Sequence, residues 1–77
     1  MNIHKITYHQ AEGTGGQNSR YASAERTVWA RSIKNGVAQA VREVESEINR
    51  SWDEQGVRYG GCCVFAELTI NNKIVND

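Results

Sequence analysis

The chain has 77 residues, with nine Lys and Arg against nine Asp and Glu, so its formal charge is zero. At this length a single domain spanning residues 1–77 is expected, in which apolar burial barely offsets an ordering cost of roughly 1.5 kcal/mol per residue. Neutrality argues against a generic polyanion binder, and the longest apolar run, Cys62 to Ala66, is too short to cross a membrane. The opening Met1-Asn2-Ile3-His4-Lys5 lacks the basic-then-apolar order of a secretion signal, so a soluble cytoplasmic protein with no membrane partner is expected.

One Leu stands against thirteen Val and Ile, which predicts a core of β-branched side chains and alanine, as in a sheet with a helix on it. Ile3 to His9 reads as a first strand with Ile6 and Tyr8 on one side. A flexible loop follows between Ala11 and Asn18, where three of the seven glycines fall. The stretch from Ala22 to Lys34 is ambiguous. Continuing the downstream helix backwards would send Val28 to solvent and put Gly36 inside a helix, at about 1 kcal/mol. The preferred reading is a second strand at Arg26 to Ile33 and a turn at Lys34-Asn35-Gly36. Its rival is one long helix over residues 23–55.

After Gly36, Val37, Val41, Val44, Ile48 and Trp52 recur at steps of three and four and form one stripe of a helix over residues 37–55. Gly56 suits the left-handed position that ends it. Val57 to Ile70 reads as a strand, with Gly60-Gly61 as a bulge or bend near its start. Asn71-Asn72 is a two-residue hairpin turn pairing Thr69 with Ile74, and Lys73 to Val75 is the returning strand. Alternation puts Cys62, Val64, Ala66, Leu68 and Ile70 on one face, the expected floor for the helix. The fold class is therefore α+β: one helix on a small, mainly antiparallel sheet in the order β-β-α-β-β, or β-α-β-β if the long helix forms.

Charge is unevenly distributed. Residues 1–36 carry five Lys and Arg against two Glu, a net of +3, while residues 37–56 carry two Arg against five acids, a net of −3. Cys62 and Cys63 are adjacent, and neighbouring strand residues point to opposite faces, so neither a disulfide framework nor a metal site is expected. His4 and His9 have no partner at a defined spacing, and most acids lie on one helix. No catalytic residues and no cofactor are assigned, and the chain is expected not to be an enzyme.

The loop Ala11-Glu12-Gly13-Thr14-Gly15-Gly16-Gln17-Asn18 resembles the Gly-Gly-Gln loop of peptide-chain release factors and their ribosome-rescue relatives. In that family the glycines allow close approach to the peptidyl-transferase centre and the glutamine helps position a water for ester hydrolysis. The resemblance covers eight residues and implies such roles for Gly15, Gly16 and Gln17. Nucleic-acid binding without that chemistry would use Arg20, Arg26 and Arg31, with Lys34, and Tyr21 and Trp29 as stacking surfaces.

The leading expectation is a non-enzymatic module that recognises a protein partner as a regulator or inhibitor and that self-associates as a homodimer. Phe65 and Ile74, with Ile3 as a further candidate, would be buried against the partner, with Glu43, Glu47 and Glu54 steering it. Small chains of this kind are common among phage and mobile-element proteins, and that class serves as a prior. The alternative is an RNA- or ribosome-binding factor using the loop at 13–18.

Overall fold

The computed structural model describes residues 2–57 and 64–75. Its elements are β1 (His4–Gly13), β2 (Tyr21–Ala30), α1 (Ile33–Gln55), β3 (Val64–Ile70) and β4 (Lys73–Ile74), in the expected order β-β-α-β-β. The four strands form one antiparallel sheet in the spatial order β2-β1-β3-β4. β1 and β2 stay in register without a bulge, from His4 opposite Ala30 to Gly13 opposite Tyr21. The long-helix alternative over 23–55 is thereby overturned, because Tyr21–Ala30 is strand. Ala22, Ala24 and Val28 alternate inward there, a period of two that the helical reading could not use.

Four boundaries differ from expectation by more than one residue. The first strand runs on to Gly13, and the second begins at Tyr21 rather than Arg26 and ends at Ala30 rather than Ile33. The helix starts at Ile33 instead of residue 37, with Ser32 as its N-cap: the Ser32 hydroxyl accepts from the Asn35 N–H at 3.2 Å. Lys34-Asn35-Gly36 is therefore the first helical turn and not a connecting turn.

Gly36 explains the last difference. It is buried, and a Cβ built on it would collide with the Ile6 Cδ1 and lie 2.9 Å from the Ala30 Cβ. Glycine is present because the helix backbone comes down onto the sheet at this point, a tertiary demand that outweighs its poor helix propensity. The C-terminus ends as read: Gly56 is left-handed at φ 67°, and its N–H donates to the Asp53 carbonyl at 3.1 Å.

The helix stripe is rotated from the expected one. Gly36, Ala40, Val44, Ile48 and Trp52 are buried, while Val37 and Val41 are only half-buried at its side. Two clusters lie along this seam. At one end the small Ala40 meets the large Ile6 and Val28, and at the other the large Val44, Ile48 and Trp52 meet the small Ala22 and Ala24.

The floor of the helix is β1 and β2, not the β3 residues expected from alternation. Val64, Ala66, Leu68 and Ile70 do share the helix side of the sheet, but the helix backbone approaches only β1 and β2 among the described strands. Cys62, Cys63 and Gly60-Gly61 lie outside the described residues. The second hairpin forms as read: Asn71 and Asn72 both take positive φ, 52° and 68°, and Thr69 pairs with Ile74.

Replacing a helical glycine with alanine ordinarily stabilises by up to about 1 kcal/mol. Gly36→Ala is expected to do the reverse and to lower urea stability by about 1–3 kcal/mol through overpacking. Combining it with Ile6→Val removes the colliding methyl, so the double variant should lose less than the two single losses added together.

Candidate functional site

On the helix side of β1, the residues after Ile6 are polar. Tyr8 OH donates to Gln10 Oε1 at 2.6 Å, Gln10 Nε2 donates to Glu12 Oε2 at 2.7 Å, and Trp52 Nε1 donates to Glu12 Oε1 at 2.9 Å. Gln10 is buried and would be costly unpaired, but its amide uses both ends. Burial, followed by the charges of Glu45 and Glu12, pushes the Tyr8 phenol above its ordinary pKa.

This polar ladder runs between the core and the far half of the sheet. In register, Tyr8 faces Leu68, Gln10 faces Ala66 and Glu12 faces Val64. Leu68 and Ile70 still touch the edge of the Ile6 cluster, but Val64 is 58% exposed and Ala66 is exposed. The other face of the same strands is open as well: Phe65 is 54% and Ile74 58% exposed, with the His9 ring 5.8 Å from that of Phe65. The β3–β4 half thus presents apolar side chains on both faces. Its turn is tied down, since Asn71 Oδ1 accepts from the Lys5 N–H at 3.0 Å and the Asn71 N–H donates to the Lys5 carbonyl at 2.8 Å.

The residues assigned to partner binding do not form one surface. Phe65 and Ile74 lie on the face away from the helix, whereas Glu43 and Glu47 flank the helix beside β2 and hold Arg26. The Arg26 Nη2 donates to Glu47 at 2.9 Å, and its Nε lies 3.3 Å from Glu43 without hydrogen-bond geometry. At this exposure such pairs contribute about 0–1 kcal/mol. Glu54 lines a shallow cleft with Ser23, Glu47, Arg50 and Ser51. Ile3 is exposed just before β1.

The nucleic-acid set is also dispersed. Gly15, Gly16 and Gln17 sit in the exposed connection between β1 and β2, where Gly16 has φ 102° and the Arg20 N–H donates to Thr14 Oγ1 at 2.7 Å. Arg20 shares that end. Arg31 follows the opposite end of β2, about 36 Å from Arg20 at 3.3 Å per residue. Arg26, between them, faces the helix and is occupied by its two glutamates. Tyr21 and Trp29 are exposed on the face away from the helix, with Lys5 Nζ 6.0 Å from the Trp29 ring centre.

Among the described residues no three His, Cys, Asp or Glu are placed to hold a metal ion, and no helix is long and apolar enough to cross a membrane. The polar ladder was missed in the sequence. Its signal was the alternation Tyr8, Gln10, Glu12, which places three polar groups on the core side of a central strand. Family models, curated proteins and solved structures were compared with the chain, and none matches.

Because the folded state holds the Tyr8 proton more tightly than the unfolded chain, the stabilisation from this group is complete below about pH 10 and is lost as pH rises through its folded value. Thermal melting across the alkaline range should show that loss, and Tyr8→Phe should remove this part of it. The same variant should be about 1 kcal/mol less stable at neutral pH, because the Gln10 carbonyl loses its donor.

Proposed function

We propose that this chain is a non-enzymatic binding module that recognises a protein partner through the β3–β4 half of its sheet and acts as a regulator or inhibitor. The observation that carries the reading is the exposure of that half: Val64, Phe65 and Ile74 are each more than half exposed, on β3, which pairs with β1, and on β4, which pairs with β3. Burying a large aliphatic or aromatic side chain is worth about 1.5–3 kcal/mol, so a partner seated here recovers what the single helix leaves unburied.

A polypeptide suits the surface better than a nucleic acid. On the face bearing Phe65 and Ile74, His9 pairs in register with Glu25 on one side and Glu67 on the other, which puts two carboxylates where a phosphate backbone would run. Glu43 and Glu47 are bound up with Arg26 and Glu54 lies on the helix side, so the contact itself is assigned to the apolar strands. The reading takes the cytoplasm as its compartment, in keeping with adjacent cysteines that cannot form a framework of spaced bridges.

A second reading has one observation in its favour: Gly15, Gly16 and Gln17 lie together at the exposed apex of the β1–β2 connection, free to enter a narrow site. A ribosome-directed factor would lose its activity in a peptide-release assay on Gln17→Ala.

A photo-crosslinking side chain at position 65 is expected to capture a defined protein in cells of the native host, while the same group at Asn49 on the outer helix surface captures none. Phe65→Asp should abolish capture from a probe at position 74. Equal capture from positions 65 and 49, or none from 65, overturns the reading.

A further inference from the structure

We infer that β2 is a self-pairing edge, through which two copies of this chain join antiparallel about a two-fold axis to form one continuous sheet. This goes beyond the partner site proposed above, because β2 and the β3–β4 pair lie at opposite edges of the sheet.

The backbone makes the edge available. Thr14 N–H donates to the Arg20 carbonyl at 2.9 Å, continuing the register in which Glu12 meets Ala22 and Gln10 meets Ala24. In an antiparallel ladder, bonded and non-bonded pairs alternate, so the even residues of β2 bond to β1. The N–H and C=O groups of Tyr21, Ser23, Glu25, Thr27 and Trp29 then point outward. Ten residues of strand lie along this edge without a lysine, a proline or a bulge, three of the devices that ordinarily keep an edge from pairing, and its two charges are Glu25 and the helix-facing Arg26. Among the described residues the only side chain bonded to an outward backbone group is Gln55, whose Nε2 donates to the Tyr21 carbonyl at 3.1 Å. That carbonyl has a second lone pair.

The side chains name a second copy as the occupant. With the axis at Glu25, outward-bonding residues meet outward-bonding residues: Ser23 faces Thr27 of the second copy, and Tyr21 faces its Trp29. Among the described residues Tyr21 and Trp29 are the most exposed large apolar ones, at 67% and 66%, and they stand at the two ends of one strand on one face. The two-fold axis uses each twice, giving two aromatic cross-strand pairs from a single strand. The helices also fit. Each lies over β1 and β2, so strands about 4.8 Å apart bring the two helices to about 10 Å, an ordinary packing distance. The flanks that meet carry both signs, Glu43, Glu47 and Glu54 with Arg26 and Arg50, and are not a like-charge barrier. The unfavourable element is Glu25, which meets its own copy at the axis.

The test is sedimentation equilibrium on the full chain, with amide hydrogen exchange measured at two concentrations. A dimer is expected, with concentration-dependent protection confined to Ser23, Glu25, Thr27, Trp29 and Tyr21. Tyr21→Thr combined with Trp29→Thr should weaken dimerisation by about tenfold or more. Glu25→Thr should strengthen it by about threefold, as it removes like charges placed opposite one another. Ser23→Pro deletes an outward N–H that β1 does not use, so it should give a folded monomer by circular dichroism. A wild-type monomer at high concentration overturns the inference. So does a dimer lost on Phe65→Asp but kept in the β2 variants, and a Glu25→Thr protein no tighter than wild type overturns this register.

Discussion

Everything else in this molecule rests on how α1 seats on β1 and β2. The contact is complementary in size and reversed along its length: Gly36 and Ala40 of the helix lie over Ile6 and Val28 of the sheet, and Val44, Ile48 and Trp52 lie over Ala22 and Ala24. Large side chains face small ones across the seam, so the helix can approach closely at both ends. In so short a chain this seam is nearly the whole core. The burial of Gln10 follows from where it lies.

That position also leaves most of the β3–β4 half of the sheet without cover from the helix. A helix about 10 Å across covers roughly two strands spaced at 4.8 Å, and among the described residues there are four strands and one helix. The sequence of β1 accommodates the boundary, with Ile6 in the core and then Tyr8, Gln10 and Glu12 joined in a hydrogen-bonded line to Trp52. Beyond that line β3 has apolar residues and no cover from the helix. The functional reading follows from this mismatch between the area of the sheet and the width of its helix. It does not depend on any motif.

The readable elements were those specified by local chemistry. Asn71-Asn72 specifies a tight turn because Asn tolerates positive φ, and the pairing of Thr69 with Ile74 follows from the turn's two-residue length. Gly56 ends the helix for a similar local reason. The second strand was harder to bound, because its inward residues include Ala22 and Ala24, whose small side chains carry little periodic signal until something large is seen to fill the space above them. Gly36 misled in the opposite sense: its helix propensity is poor, and only the nearness of Ile6 shows why it is tolerated. The site residues fared similarly. Phe65 and Ile74 were placed on one face by alternation, but Glu43, Glu47 and Arg26, read as separate features, prove to be partners of one another on the other side of the sheet.

By itself, then, the sequence determined the α+β class, the second hairpin and the end of the helix, because each depends on periodicity or on the backbone freedom of one or two residues, while the choice between the two element orders it left open fell to the structure. Which strands the helix covers, where it begins, and which apolar residues stay exposed were decided only in three dimensions. Those outcomes turn on contacts between residues some tens of positions apart, Ile6 with Gly36 and Trp52 with Glu12, whose fit is a property of the pair and cannot be read from either residue alone.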